Sequence, residues 1–171
     1  MREQIKQLLK NSVYRAIGET ANGLGAVNGD GRTLRVLMYH KVNDLPGNRM
    51  SMPVSLFDEQ MAQLRELGYT VVGLDAVVAH YLERKPLTDG AVLITFDDGY
   101  RDNLENAAPV LHRHGYPAVQ FVPLAYVGDR QPLPHEEHLA ANGVVNRTVD
   151  WEELGELERV AVRAVRAGHR R

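Results

Sequence analysis

The sequence of 171 residues contains no cysteine, which excludes disulfide bonds and thiolate chemistry. Its formal net charge of −2 gives no electrostatic basis for binding nucleic acid. No apolar run is long enough to predict a transmembrane helix. With cysteine absent, the seven histidines are the soft metal ligands available beside the carboxylates. The length fits one domain with a real hydrophobic core.

Residues 1–32 differ in character from the rest of the chain. Apolar residues near helical spacing predict an amphipathic helix from about Glu3 to Ile17, and the glycine-rich stretch over residues 23–31 predicts a linker. Charged residues interrupt the helix and argue against a secretory signal. They would favour a membrane surface, although a helix packed on the domain or a mobile N-terminus fits the composition better. We therefore expect an N-terminal helix and linker over residues 1–32, a main domain over residues 33–171, and a protein that is cytoplasmic or peripheral to the inner membrane surface.

The most informative stretch is a strand that runs into two carboxylates. Residues 91–95 are apolar or β-branched without a break, which predicts a strand buried on both faces. Asp97, Asp98 and Gly99 follow directly, and the glycine permits a tight turn or the close approach of a ligand. An ordinary Asp-Gly turn after a strand is the simpler interpretation of those three residues alone.

The residues around this turn resemble the polysaccharide deacetylase family, the NodB homology domain of carbohydrate esterase family 4. The similarity covers roughly residues 34–155. It is carried by a first strand that ends Met-Tyr-His, by the central motif and by the segments after it: Val36–Val42, Leu93–Tyr100, Asn103, Ala107–Leu111, Gly115–Ala118 and Phe121–Val122.

The resemblance implies both a fold and a chemistry. The family fold is a distorted (β/α) barrel of about seven strands, so an α/β fold with a partial barrel is expected here. In the family, the first Asp of the motif is the general base and the second binds a divalent metal ion, zinc or another transition metal; these positions are Asp97 and Asp98. Gly99 and Tyr100 would line the same pocket, with a backbone N–H near Tyr100 stabilising the oxyanion. The implied substrate is an N-acetylated glycan.

The rest of the domain alternates strands with amphipathic helices. Strands are predicted near Leu34–Tyr39, Tyr69–Val72, Ala91–Phe96 and Ala118–Val122, parallel and in one sheet. Because the carboxyl ends of the strands carry the chemistry in α/β barrels, His40 after the first strand is a candidate pocket residue. A structural or exposed histidine is the equally weighted alternative. The helix beginning at Trp151 is expected to be capped by Asp150 and to be the least well packed.

Near its end the chain departs from the family pattern. The family completes its metal site with two histidines in a His-Ser/Thr-x-x-x-His or similar run. Residues 160–171 contain one histidine, His169, which is a weak candidate ligand. This tail could reflect a truncated or frameshifted reading frame, or form an amphipathic helix. His135 and His138 lie in a loop-like segment, where a solvated loop or short helix is a better interpretation than a metal pair. We expect both to lie far from Asp98.

Two functions are compatible with the sequence. The first is a metal-dependent hydrolase that removes N-acetyl groups from a polysaccharide, impaired in this chain because ligands are missing. The second is a catalytically inactive half-barrel that binds glycans or partners. A phosphatase with an Asp nucleophile is disfavoured, because the two carboxylates are adjacent rather than in an Asp-x-Asp pattern.

Overall fold

The computed structural model describes residues 33–45, 48, 50–128, 132–141, 143, 144, 146–160 and 162–167. The predicted N-terminal helix and linker, and His169, lie outside these residues. Within them, no helix is long and apolar enough to cross a lipid bilayer.

Strands make up the centre of the described fold. In chain order they are β1 (Arg35–Tyr39), β2 (Lys41–Val42), β3 (Ser51–Met52), β4 (Thr70–Val71), β5 (Ala91–Phe96), β6 (Ala118–Pro123) and β7 (Val162–Ala167). The short strands β2 and β3 pair with each other, and the other five form one sheet in the order β1-β5-β6-β7, with β4 also paired to β5.

All pairings in the main sheet are parallel. Leu37 of β1 lies opposite Ile94 of β5, and the other edge of β5 pairs first with β4, at Ala91 and Val92, and then with β6, at Thr95 and Phe96. The prediction of four parallel strands in one sheet is therefore confirmed. Because the strands are parallel, their carboxyl ends lie at the same edge of the sheet.

Five helices connect and cover the strands in the described part of the chain. They are α1 (Val54–Glu66), α2 (Leu74–Glu83), α3 (Ala108–His114), α4 (Glu137–Ala140) and α5 (Trp151–Arg159). A π-helical turn (Asn103–Ala107) precedes α3. Pro109 therefore falls in the first turn of α3, where its missing N–H costs no hydrogen bond. The helical stretch from Asn103 to His114 is thus divided into two segments just before the proline.

The two faces of the sheet are covered unequally. Alternate residues of β5 point to opposite faces, and the face that carries Val92, Ile94 and Phe96 packs against α1, α3 and α5. We call it the covered face. The opposite face carries Ala91, Leu93 and Thr95. It packs against α2 only near the amino-terminal end of β5, at Ala91 and Leu93. We call it the open face. As predicted, every residue of β5 is buried.

The open face leaves apolar side chains in solvent. Val36 and Met38 of β1 are 53% and 62% exposed, and the register with Leu93 and Thr95 places them on this face. Helix α2 is similarly exposed at Val78, Tyr81 and Leu82. It is therefore less well packed than the C-terminal helix, and the expectation that the helix at Trp151 packs least well is wrong.

Helix α5 owes its order to a cap and a core contact. The Asp150 carboxylate accepts hydrogen bonds from the backbone N–H groups of Glu152 and Glu153, and the Glu153 carboxylate accepts one from the backbone N–H of Asp150. This capping box satisfies N–H groups that a helix start leaves unpaired. Leu154 and Leu157 are buried. Residues 162–167, the part of the tail that the structure describes after α5, form β7 rather than the amphipathic helix considered for the tail. Strand β7 pairs along the whole of β6.

Candidate active site

The candidate site is built on an unusual turn at the carboxyl end of β5. Asp98 and Gly99 both have left-handed backbone conformations, with φ of 69° and 66°. A non-glycine residue in this region carries a conformational cost and points to a functional hypothesis. At Gly99 a side chain would meet Val122 at 3.0 Å from its Cγ1. The position therefore needs glycine for both backbone conformation and space.

The neighbouring strand brings His40 to the same edge. Tyr39 lies opposite Phe96, and the Asp97 N–H donates to the Tyr39 carbonyl at 2.9 Å. The Asn103 amide donates to the His40 carbonyl at 3.0 Å, which holds the start of the loop after β1 against this turn. The structure thus brings together His40, Asp97 and Asp98, as the sequence predicted, at the carboxyl edge of the sheet.

Electrostatics favour Asp97 as a proton acceptor. Burial raises the pKa of the Asp97 carboxyl, the charge of His40 opposes this increase, and the adjacent Asp98 adds to it. A base works best when its pKa lies near the working pH. A raised pKa therefore suits Asp97 to accept a proton from water.

Tyr100 is a buried neighbour of Asp98 in the site. It is 1% exposed, and a single antiparallel bridge joins it to Thr148. The ammonium of Lys41 lies 4.7 Å from the centre of its ring, within the range of a cation–π contact. Burial, and then the charge of Asp98, raises the pKa of the Tyr100 hydroxyl, so this group remains a hydrogen-bond donor.

His135 lies beside Asp98, and the prediction that it would be far away is wrong. Its Nε2 is 3.5 Å from Asp98 Oδ2 and 3.0 Å from the Tyr100 hydroxyl. The segment that holds it was predicted to be a solvated loop or short helix. It forms a short helix, a 3₁₀ turn at Pro134–Glu136 followed by α4, so the short-helix alternative is confirmed. Chain folding, rather than local spacing, brings this histidine to the carboxylate.

A buried ion pair explains how that segment is held. Lys41 and Glu136 are both buried and bonded to each other, and the Asn146 amide donates to both carboxylate oxygens of Glu136. Burial lowers the pKa of Lys41, and the charges of Asp102 and Asp98 oppose this change. Sequence reasoning did not identify this pair, because its members are 95 positions apart and nothing local marks either residue.

A polar pocket of about 210 Å³ adjoins Tyr100. Its lining combines amides, carboxylates and guanidinium groups: Asn43, Tyr100, Arg101, Asp102, Glu105, Asn146 and Arg147. Burial raises the pKa of Asp102 to about 6. Asn43 bonds to one oxygen of this carboxylate, while the other is buried and has no hydrogen-bond partner. The pocket is thus rich in groups that can bind hydroxyls.

The described residues do not by themselves complete a catalytic metal site. Zinc sites of hydrolases normally have three protein ligands, and no cluster of three or more His, Cys, Asp or Glu side chains suited to a metal occurs in the described part of the chain. Within the same residues, Asp98 has an ion-pair contact with the imidazole of His135, and the Nε2 of that ring also contacts Tyr100. The three-ligand site of the family is therefore not assembled among these residues.

Comparison with known proteins gives the same family as the motif. Residues 84–167 match the sequence model of the polysaccharide deacetylase family. The provisionally named polysaccharide deacetylase YxkH of Bacillus subtilis (strain 168) is 35% identical over 129 residues, which are 72% of this chain and 45% of YxkH. The poly-β-1,6-N-acetyl-D-glucosamine N-deacetylase of Escherichia coli (strain K12) is 31% identical over 128 residues, which are 72% of this chain and 18% of that protein. The chain thus spans less than half the length of either relative.

A solved structure supports the fold. IcaB from Ammonifex degensii is 29% identical, with a TM-score of 0.65 over 83% of this chain and 54% of that chain. The α/β fold with a parallel sheet therefore corresponds to about half of a deacetylase-type domain, and the expectation of a partial barrel is confirmed.

Proposed function

This chain belongs to the polysaccharide deacetylase family, and from that membership we propose that it removes N-acetyl groups from a polysaccharide. Such an enzyme is a hydrolase of carbon–nitrogen bonds other than peptide bonds. The observation that carries the proposal is the turn at the end of β5, which places Asp97 and Asp98 at the same edge of the sheet as His40, the residue after β1. Carboxylates and an imidazole at this edge are typical of general acid–base chemistry.

The reaction assigns separate tasks to Asp97 and His40. Asp97 takes a proton from water as the water oxygen attacks the acetamide carbonyl carbon. The resulting tetrahedral intermediate carries a negative oxygen, which a backbone N–H near Tyr100 would stabilise. The carbon–nitrogen bond then breaks, and His40 protonates the departing nitrogen. The products are acetate and a free amino sugar.

Asp98 is the residue that we assign to a divalent metal ion. Enzymes of this family are generally metal-dependent, and a bound metal would polarise the carbonyl and activate water. The described residues supply one carboxylate ligand at Asp98 and not a three-ligand set. The steps that we derive for this chain are therefore those of Asp97 and His40.

The pocket beside Tyr100 supports a carbohydrate substrate. Asn43, Asp102, Asn146 and Arg147 present hydrogen-bonding groups there, and a sugar ring presents hydroxyls in several directions. The relative named as a poly-β-1,6-N-acetyl-D-glucosamine N-deacetylase makes oligomers of that sugar a suitable probe. We propose that one sugar residue of the substrate occupies this pocket.

A second candidate function is glycan binding without hydrolysis. It is favoured by one observation: within the described ranges, Asp98 does not meet two further metal-binding side chains. A chain of this kind would bind an oligosaccharide in the polar pocket and release no acetate.

An acetate-release assay separates the two functions. The chain of 171 residues would be incubated with β-1,6-linked N-acetylglucosamine oligomers and zinc or cobalt, and acetate would be measured. We expect slow release that is lost in Asp97→Asn and in Asp98→Ala. Asp89→Asn is the matched control, since Asp89 is an exposed carboxylate two residues before β5 and its substitution should change nothing.

The same preparations would be tested for binding of the oligomers by calorimetry. Binding without acetate release would favour the second function. The absence of both would contradict the proposal, and release that survives Asp97→Asn would contradict the role assigned to this base.

A further inference from the structure

We propose that His135 is a positioning residue for Asp98, and that it acts together with Tyr100 to hold the Asp98 carboxylate at the edge of the site. The proposal rests on the proposed function only in assigning a task to Asp98. The geometry that carries it is independent of any reaction.

The strand alone does not fix the Asp98 side chain. Its backbone is in the left-handed conformation, so its direction is set by a turn rather than by the regular alternation of a strand. The side chain is 27% exposed. A partly exposed carboxylate on a turn samples several rotamers unless neighbouring groups select one.

His135 and Tyr100 are the groups that can hold the Asp98 carboxylate. His135 Nε2 lies 3.5 Å from Asp98 Oδ2 and 3.0 Å from the Tyr100 hydroxyl. Of these three groups the carboxylate only accepts hydrogen bonds, whereas the imidazole N–H and the phenol O–H can each donate one. The single hydrogen on Nε2 can be shared between the Asp98 carboxylate and the Tyr100 oxygen. The Tyr100 O–H then remains free to donate to Asp98, an interaction that also raises the pKa of Tyr100.

Both donors are themselves held in place by buried neighbours. The Tyr100 ring is buried beneath the Lys41 ammonium, so its hydroxyl has little freedom. On either side of His135 the chain is anchored, since Leu133 is 3% and Glu136 is 2% exposed and Glu136 bonds to Lys41. The His135 side chain is thus 44% exposed, while its backbone is held by the buried residues on either side. A carboxylate is held in the orientation that catalysis or metal binding requires when the residues that support it are themselves fixed.

Lys41 connects the two donors. It contacts the face of the Tyr100 ring and pairs with Glu136, the residue after His135. One buried ammonium therefore sets the position of both groups that meet Asp98, and the ion pair acts as the common support of the arrangement.

The test measures the rotamer of Asp98 directly. Three-bond couplings from the Asp98 carboxyl carbon to its backbone nitrogen and carbonyl carbon report the χ1 angle by NMR. In the wild-type chain of 171 residues we expect one large and one small coupling, the pattern of a single rotamer. His135→Ala and Tyr100→Phe should each give averaged, intermediate couplings.

Two further variants distinguish positioning from general disturbance. His135→Gln keeps a donor near the place of Nε2 and should restore the single-rotamer pattern. Glu137→Ala alters an exposed neighbour in the same segment and should leave the couplings unchanged. Averaged couplings in the wild-type chain, or a single rotamer that persists in His135→Ala, would overturn the proposal. These readouts need no turnover, so a failure of the acetate assay leaves them interpretable.

Discussion

The covered and open faces of the sheet differ in how much of the fold they hold in place. On the covered face, which packs against three helices, Phe57, Met61 and Leu111 are completely buried. On the open face α2 packs only near the amino-terminal end of β5, and Val36 and Met38 remain in solvent. The covered face therefore supplies most of the buried apolar surface that stabilises the fold, whereas the open face leaves apolar side chains accessible to solvent. Burial of apolar surface is the main favourable term in folding, so substitutions on the covered face should be far more costly.

The largest effect is expected from removing an aromatic side chain on the covered face. Phe57 packs edge-on against Tyr39, with ring centres 5.0 Å apart, and 5.9 Å from Phe96. Phe57→Ala should lower the free energy of unfolding by about 3–5 kcal/mol, measured by urea denaturation. Met38→Ala on the open face should change it by less than about 0.5 kcal/mol. Equal losses in the two variants would contradict the comparison.

A second effect compares a buried ion pair with an exposed one. Glu136→Ala leaves the Lys41 ammonium buried without its partner, and should cost about 3 kcal/mol in unfolding free energy. Glu83→Ala breaks an ion pair with Lys85 after α2, where both side chains are more than half exposed, and should cost less than about 1 kcal/mol. The double variant Lys41→Met with Glu136→Leu should recover most of the loss. Equal losses of unfolding free energy in Glu136→Ala and Glu83→Ala would show that the buried pair does not support the fold more than the exposed pair does.

A third effect concerns the cap of α5 on the covered face. Asp150→Ala removes the acceptor for two backbone N–H groups, and should cost about 1 kcal/mol. Asp150→Asn retains a side-chain oxygen and should stay within a few tenths of a kcal/mol of the wild type. Thermal unfolding followed by circular dichroism measures both. An equal decrease in the two variants would mean that charge, rather than the cap, is responsible.

The smallest effect depends on pH. Asp58 on α1 accepts hydrogen bonds from His114 at 2.8 Å and Arg113 at 3.0 Å on α3, and these contacts, the His114 bond above all, lower the pKa of Asp58. A lowered pKa adds stability above the unfolded value of 3.8 that is lost as pH falls through the folded value. The melting temperature of the wild type should therefore exceed that of Asp58→Asn slightly at pH 6, and the difference should vanish near pH 2. A difference that grows on acidification would contradict this assignment.

The elements that the sequence predicts well are those set by local pattern. The unbroken apolar run of β5 and the Asp150 cap follow from residues adjacent in the chain, and the structure contains both. The grouping of His40 with Asp97 and Asp98 follows from one further rule, that parallel strands end at the same edge.

Two features could not be predicted, because distant residues decide them. His135 reaches Asp98 since Glu136 pairs with a lysine 95 positions away, and no spacing within the segment encodes that pair. Val162 and Val165 are three residues apart, which suits a helix, yet residues 162–167 form β7 because six pairings with β6 are available. Pairing with a neighbouring strand outweighs local propensity there.

The parallel sheet also has a consequence for how the chain folds. A hairpin brings neighbouring residues together first, but β1 must find β5 across the chain that separates Arg35 from Val92, and β6 must find β7 across that separating Ala118 from Val162. Closing such loops costs entropy before any pairing is gained, and proteins dominated by distant contacts fold slowly. We therefore expect the chain to spend longer than a helical protein of the same length with strand edges unpaired. The period just after synthesis would then be the time when it is most vulnerable to association with other unfinished chains.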